Sequence, residues 1–155
     1  MDAPSIDNDE VVARRLVAGQ FVLIATLVAV AVWDRNAGWP LVAVVLALAG
    51  AMLGVWAGIA LGPALTASPI PNGRAGLRTA GPYAFSRHPI YTALLVGGLG
   101  LVAWSGSAIA ALVWAVFAWY LRMKAMWEEE RLERRYPDYR QYAERTARFL
   151  GLPKR

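Results

Sequence analysis

The chain has 155 residues, enough for one domain, but 57% of them are hydrophobic and seven are tryptophan, which is unusual for a soluble protein. It has no cysteine and a single histidine, which excludes disulfides and a thiol nucleophile and leaves too few ligands for the usual zinc clusters, so we predict no metal site. The formal net charge of +5 is compatible with nucleic-acid binding, but basic residues beside membrane spans explain it more simply, so the expected partners are membrane lipids and no nucleic acid.

Uncharged stretches of the sequence predict four membrane helices. Residues 16–33 and 39–61 provide 18 and 23 uncharged residues, against about 20 for a spanning helix. Residues 90–121 provide 32, which would form a helix of about 48 Å, too long for a hydrocarbon layer about 30 Å thick. We predict that this stretch bends at residues 104–107, where Gly106 stands between two serines. The expected fold is an all-α integral membrane bundle, one domain over residues 1–155, with helices at about 14–34, 39–62, 89–104 and 107–130.

The basic residues predict how these helices are oriented. Of the 16 basic residues, only Arg35 lies in the turn between the first two spans. The others precede the first span, lie in the loop of residues 62–88 or follow residue 121. By the positive-inside rule, both termini and this loop are expected to be cytoplasmic, in what we expect to be the plasma (inner) membrane. The acidic start of the chain does not resemble a cleavable signal peptide, so the first span is expected to be retained.

Two segments on the predicted cytoplasmic side are not membrane helices. Residues 62–88 carry four prolines, too many for a continuous helix, and a long irregular loop in so small a protein is more often functional than idle. From Trp127 onward the chain is amphipathic, and a tail helix is expected at about 137–149 because Pro137 interrupts the helix before it. This tail either lies on anionic lipid or folds back over the bundle as a lid. We expect Arg122 and Lys124 to snorkel outward and Arg131 to face the lipid.

Two polar clusters stand at helix ends that a hairpin would bring together. The first is Arg87-His88-Pro89-Ile90-Tyr91, where proline holds the chain extended before the third helix. The second is Glu128-Glu129-Glu130, at the cytoplasmic end of the fourth helix. If these helices form a hairpin, the clusters meet in a pocket. Both also have simpler interpretations: the histidine as an interfacial residue that caps backbone groups, and the glutamates as a solvated helix face.

The clusters belong to a longer pattern. It runs Leu77-x-Thr79-x-Gly81-Pro82-Tyr83-x-x-x-Arg87-His88-Pro89-x-Tyr91, then Glu128-Glu129-x-x-Leu132-x-x-x-Tyr136-x-x-Tyr139-x-x-Tyr142. Over roughly residues 66–150, this pattern resembles the isoprenylcysteine carboxyl methyltransferase family, which is similar in turn to membrane phospholipid N-methyltransferases. The resemblance implies S-adenosylmethionine as cofactor and methyl donor, bound in the cytoplasmic-side pocket.

Carried over residue by residue, the resemblance also implies a set of site residues. The residues expected to line the cofactor site are Gly76, Leu77, Arg78, Tyr83, His88, Pro89, Ile90, Tyr91, Glu128 and Glu129. The residues expected to act in catalysis are Arg87, His88 and Lys124. Lys124 departs from the family, which typically has arginine at this position. Lysine keeps the positive charge but cannot form the paired hydrogen bonds that a guanidinium makes with a carboxylate. Ala93 and the Tyr136-Pro137 pair also differ from the family pattern. These differences bear on the identity of the methyl acceptor more than on cofactor binding.

The resemblance implies an integral membrane methyltransferase that moves a methyl group directly to a lipophilic acceptor, either a small molecule or a lipidated one. A prenylcysteine-like carboxylate would need no base, whereas a lipid amine would lose a proton to His88 or a glutamate. Two alternatives stay open: a non-catalytic membrane subunit or lipid-binding module, and an isoprenoid or steroid reductase of similar fold. The sequence does not indicate the oligomeric state.

Overall fold

The computed structural model describes residues 6–66, 68–70 and 76–151. Its helices are α1 (Ile6–Trp33), α2 (Pro40–Leu61), α3 (Pro89–Ser105), α4 (Ala108–Arg135) and α5 (Tyr139–Arg145), with short 3₁₀ turns at Gly62–Ala64 and Gly81–Ala84. These described residues contain no strand, so the prediction of an all-α fold is confirmed. Three of the basic residues used to predict the orientation lie outside the described residues: Arg74, Lys154 and Arg155.

The helices have the lengths and surfaces of membrane spans. Three segments are long and apolar enough to cross a bilayer: Asn8–Trp33, Pro40–Ala64 and Ala108–Arg135. The apolar helix α3 is shorter, at 17 residues, and packs against α1, α2 and α4. Large apolar side chains point outward, with Leu41 77% exposed and Ile59 76% exposed, which suits hydrocarbon and not water. The chain is therefore an integral membrane bundle.

A tight turn folds the longest uncharged stretch into a hairpin. α3 ends at Ser105, and Gly106 follows in the left-handed conformation with φ of 63°, which glycine adopts without strain. Ser107 then caps α4, because its hydroxyl accepts a hydrogen bond from the backbone N–H of Ala110 at 2.9 Å. The turn lies within the predicted bend, and α4 returns toward the end of the bundle where α3 begins.

Backbone hydrogen bonds join this hairpin turn to the turn between α1 and α2. The N–H of Asn36 donates to the carbonyl oxygen of Ser105, and that of Trp39 donates to Ala103, both at 2.7 Å. The guanidinium of Arg35 lies 4.1 Å from the centre of the Trp104 ring, a cation–π contact. Backbone hydrogen bonds therefore join the two turns at this end of the bundle, and the Arg35–Trp104 contact adds to them.

Small residues let α2 and α3 pack closely. A Cβ atom at Gly50 would lie 2.8 Å from the backbone nitrogen of Gly97 and 2.9 Å from the carbonyl oxygen of Ala93. A Cβ atom at Gly100 would lie 3.1 Å from the carbonyl oxygen of Ala43. The two backbones approach so closely that no side chain fits at Gly50. This contact fixes the position of α3, and with it the residues that precede α3.

Two basic residues of α4 face the bundle instead of the lipid. The expectation that Lys124 snorkels outward is wrong: its side chain is fully buried and donates a hydrogen bond to Gln20 of α1. Arg131 was expected to face lipid, but it donates two hydrogen bonds to the carboxylate of Asp9, at 2.6 and 3.1 Å. Both contacts join α1 to α4, so the start of α1 and the end of α4 lie at the same end of the bundle.

The tail helix is shorter than predicted. α4 continues to Arg135, beyond the predicted end near residue 130, and it stops before Pro137 because proline disfavours helical geometry in the preceding residue. α5 covers only Tyr139–Arg145, and the chain after it is irregular and lies against the loop before α3. The expected helix at residues 137–149 is therefore one short helix followed by a non-helical segment.

Gly50→Ala should destabilise the protein, because the added methyl group would press on the backbone of α3. Overpacking of this kind costs about 1–3 kcal/mol, partly offset by the higher helix propensity of alanine, roughly 1 kcal/mol. Gly54→Ala is the matched control on the same helix, because its Cβ would meet only the side chain of Ala93 at 3.5 Å. Thermal unfolding in detergent should give a lower midpoint for Gly50→Ala than for Gly54→Ala. Equal midpoints would contradict the close packing of α2 on α3.

Candidate functional site

A cavity of about 510 Å³ lies at the end of the bundle where α3 begins and α4 ends. Its volume falls within the roughly 300–1,000 Å³ of typical small-molecule sites. Side chains from α1, α2, α3 and α4 form its walls, and the loop of residues 62–88 and the tail after α4 complete it. The helical hairpin therefore creates a pocket where the sequence predicts one.

One wall of the cavity is polar, where the start of α3 meets the end of α4. The hydroxyl of Tyr91 donates to Oε2 of Glu128 at 2.8 Å, and Nδ1 of His88 lies 3.7 Å from the same oxygen. The rings of His88 and Tyr91 stack in parallel, with their centroids 5.2 Å apart. The side chain of Glu128 is 24% exposed, so its carboxylate is available to a ligand in the cavity.

Proline places these side chains. Pro89 lies in the first turn of α3, where its missing N–H is not needed, and it disfavours helical geometry at His88. His88 is therefore a non-helical residue at the start of α3, with φ of −127° and ψ of 64°. Its backbone is held against the first turn of α3, because the hydroxyl of Thr92 donates to the carbonyl oxygen of His88 at 3.1 Å. The local sequence thus explains why an imidazole and a phenol stack at this wall.

Glu129 lies behind the polar wall and does not line the cavity, contrary to its predicted cofactor-lining position. Its carboxylate accepts hydrogen bonds from Nε and Nη2 of Arg148, at 3.0 and 2.7 Å. Nε2 of His88 lies 3.0 Å from Oε1 of Glu129, and Nε of Arg87 lies 3.3 Å from the same oxygen. Glu129 therefore holds the residues of the wall from behind.

Lys124 also lies behind the cavity wall. Its ammonium donates to Oε1 of Gln20 at 2.6 Å and lies 5.2 Å from the centre of the Tyr91 ring. Gln20 is only 7% exposed and lines the cavity. Lys124 contacts the amide oxygen, so the amide nitrogen of Gln20 is available to donate to a ligand. Gln20 is not among the predicted site residues, although an amide inside an apolar span is a signal of a buried role.

The tail covers the cavity with aromatic side chains. Tyr136, Tyr139 and Tyr142 line it together with Tyr83 of the loop, and the hydroxyl of Tyr142 donates to the carbonyl oxygen of Tyr83 at 2.6 Å. Burial raises the pKa of Tyr83 to about 12, with a contribution from the Glu128 carboxylate. Burial also raises the pKa of Tyr139 and Tyr142, so these phenols are neutral near pH 7. Of the two interpretations of the tail, the lid agrees with this position.

The residues predicted to bind a cofactor come together around this cavity, apart from Glu129. The predicted residues that line it are Gly76, Leu77, Arg78, Tyr83, His88, Pro89, Ile90, Tyr91 and Glu128. Among the predicted catalytic residues, Arg87 and His88 line the cavity and Lys124 does not. The individual roles of these residues stay predictions.

Comparison with known proteins finds relatives that match part of the chain. Two curated relatives are each 37% identical to it over 75 residues: the nickel-cobalt-cadmium resistance protein NccN of Alcaligenes xylosoxydans xylosoxydans and the cobalt-zinc-cadmium resistance protein CzcN of Cupriavidus metallidurans. Each alignment covers 48% of this chain and 35% of the relative. The chain thus matches about a third of the length of these proteins. No solved structure gives a significant match.

The sequence profile of a family described as phospholipid methyltransferase matches residues 39–139, which is more than half of the chain. The matched residues include the start of α3, the whole hairpin and the glutamates of α4. The match supports the wider superfamily that the motifs indicate, and the narrower isoprenylcysteine carboxyl methyltransferase family stays a prediction. The chain therefore belongs to the phospholipid methyltransferase family.

Proposed function

We propose that the protein transfers a methyl group from S-adenosylmethionine directly to a lipophilic acceptor within the membrane. The observation that carries the proposal is the two-sided character of the cavity. Glu128, Tyr91 and His88 form a polar wall, whereas Leu61 and Leu94 line the cavity with apolar side chains. A polar cosubstrate and a lipid can therefore meet in one space. Membership of a methyltransferase family supports the reaction type.

The residues present fit S-adenosylmethionine. This cofactor carries a sulfonium, an ammonium and a carboxylate, so its site needs negative or aromatic partners and one positive partner. Glu128 and the aromatic faces of Tyr91 and Tyr139 would hold the positive groups. Arg78, which lines the same cavity, would hold the carboxylate.

When bound, S-adenosylmethionine supplies a methyl group activated by the sulfonium sulfur. The reaction is an in-line displacement, so the chain's own residues contribute alignment and exclusion of water, without a covalent enzyme intermediate. The tyrosines of the tail and the loop cover the cavity. The parallel stack of His88 on Tyr91 provides a fixed surface on one side of it.

The acceptor would enter from the bilayer, on the apolar side of the cavity. Gln20, whose oxygen is held by Lys124, offers an amide donor to a polar group of the acceptor. A prenylcysteine-like carboxylate would react without a base. A lipid amine would first lose a proton, for which His88 or Glu128 is the nearest acceptor in the cavity wall. The proposal includes both kinds of acceptor.

We further propose that both termini and the loop of residues 62–88 face the cytoplasm, in the plasma (inner) membrane. Arg78 and Arg87 lie at the cavity end of the bundle, together with the arginines of the tail. Arg35 lies at the opposite end, beside the hairpin turn. This distribution supports the orientation by the positive-inside rule.

Glu128→Gln should abolish the binding of S-adenosylmethionine or weaken it by at least about tenfold, because it removes the negative charge that faces the cavity and keeps the size of the side chain. Calorimetric titration of S-adenosylmethionine and of its demethylated product into detergent-purified protein measures this. Glu133→Gln is the matched control, because Glu133 is exposed on the same helix.

Saturable binding by the parent and by Glu133→Gln, lost in Glu128→Gln, is the expected result. A folded parent that binds neither compound would contradict the proposal. It would favour the non-catalytic subunit or the reductase as the explanation of the cavity.

Lys124→Met should lower turnover more than donor binding, because methionine keeps most of the length of lysine and removes the charge that holds Gln20. We expect turnover to fall by at least about tenfold and the donor dissociation constant to change by less than about threefold. Transfer of a tritium-labelled methyl group to total membrane lipid, compared with calorimetric binding, separates the two effects. An equal loss of both would assign Lys124 to the donor instead.

The absence of cysteine permits a direct test of the orientation, because no native thiol interferes. Asn36→Cys, in the exposed turn between α1 and α2, should react with a membrane-impermeant maleimide on intact cells. Glu133→Cys, near the end of α4, should react only after the cells are permeabilised. The reverse pattern would show the opposite orientation.

A further inference from the structure

The segment after α5 lies directly behind the polar wall of the cavity. The backbone N–H of Arg87 donates to the carbonyl oxygen of Ala147 at 2.8 Å. The backbone N–H of His88 donates to the carbonyl oxygen of Arg148 at 3.1 Å. The ring of Phe149 lies against the imidazole of His88, with centroids 6.4 Å apart. This segment, residues 146–149, forms a strap behind the wall. It holds the turn before α3 by its backbone.

The side chain of Arg148 connects the strap to α4. It donates to both oxygens of Glu129, at 3.0 and 2.7 Å, and such a bidentate pair fixes the orientation of the carboxylate as well as its position. These hydrogen bonds raise the pKa of Arg148 above its ordinary value. The side chain of Glu129 is only 12% exposed, so water competes little for its oxygens.

Glu129 transmits this constraint to His88. Its Oε1 lies 3.0 Å from Nε2 of the imidazole. A carboxylate placed between the guanidinium groups of Arg87 and Arg148 offers only acceptor atoms. In the neutral imidazole the proton belongs on Nε2, because Glu129 lies within hydrogen-bond distance of it, whereas Nδ1 lies 3.7 Å from the Glu128 carboxylate, too far for a hydrogen bond.

We propose that Arg148 is a positioning residue, which acts through Glu129 to fix the tautomer and the ring orientation of His88 at the cavity wall. Arg148 does not itself line the cavity, so it acts on the wall from behind. The consequence for donor binding rests on the proposed function, whereas the consequence for the tautomer does not.

The single histidine of the chain makes the test direct, because every histidine signal comes from His88. Long-range proton–nitrogen correlation spectra of the full-length protein, labelled with ¹⁵N-histidine and held in detergent, distinguish the two neutral tautomers by their nitrogen shifts. The parent should carry the proton on Nε2. Arg148→Ala should give a mixture of tautomers, although the backbone bonds of the strap can still form.

Two further variants separate the hydrogen-bonding fork from the charge. Arg148→Lys keeps the charge and loses the bidentate fork, so its tautomer ratio should lie between those of the parent and Arg148→Ala. Arg145→Ala removes an exposed arginine from the same tail and should give the parent spectrum.

Donor titration supplies a second measurement. Arg148→Ala should weaken the binding of S-adenosylmethionine by about tenfold, the effect of losing a charged hydrogen bond. Glu129→Gln should weaken it similarly. The double variant should bind no more weakly than Glu129→Gln alone, because the two side chains act on His88 as one unit.

A parent with its proton on Nδ1, or an Arg148→Ala spectrum identical to that of the parent, would overturn the inference. If Arg148→Ala does not fold, Arg148→Lys decides instead, and an unchanged tautomer ratio in that variant has the same meaning. The two proposals fail separately. A parent that binds no donor refutes the donor site, while a tautomer shift in Arg148→Ala still supports the positioning role. Tight donor binding with an unchanged tautomer ratio in the variant refutes the positioning role alone.

Discussion

The carboxylate of Glu129 holds together three parts of the chain that are distant in sequence. Arg87 and His88 approach it from the turn before α3, and Arg148 approaches it from the tail. These groups lie at the edge of an apolar bundle, where a charged side chain without a partner is costly. The hairpin, the loop and the tail must therefore be in place together. His88, which forms part of the polar wall of the cavity, is held by this arrangement.

The two ends of the bundle are stabilised differently. At one end, backbone hydrogen bonds such as that from Asn36 to Ser105 join the two turns. At the other end, the backbone bonds of the strap are joined by several side-chain pairs, such as Arg131 with Asp9 and Arg148 with Glu129. Backbone bonds recur with many sequences, whereas side-chain pairs require particular residues. The end that depends on particular side chains is also the end that contains the cavity.

The interior of the membrane bundle carries a second polar contact, between Lys124 and Gln20. Burying either side chain alone among apolar helices would be unfavourable. The hydrogen bond between the ammonium and the amide oxygen offsets part of that cost. Their contact joins α1 to α4, and Gln20 also lines the cavity. α1 thus contributes to the cavity wall as well as to the membrane anchor, although the motifs of the family pattern lie entirely outside it.

The sequence by itself determined the all-α membrane fold, the bend at Gly106 and the meeting of the Arg87–Tyr91 cluster with the glutamates of α4. Hydropathy is a property of a continuous stretch of sequence, and glycine and proline constrain the backbone at and next to their own positions. These features can therefore be predicted from local sequence. The direction of each polar side chain was decided only by the tertiary structure. Consecutive residues of a helix point about 100° apart, so Glu128 faces the cavity while Glu129 faces the tail. For the same reason Lys124 points to Gln20 and not to the lipid, since which face of α4 is buried depends on how α1 and the tail pack against it.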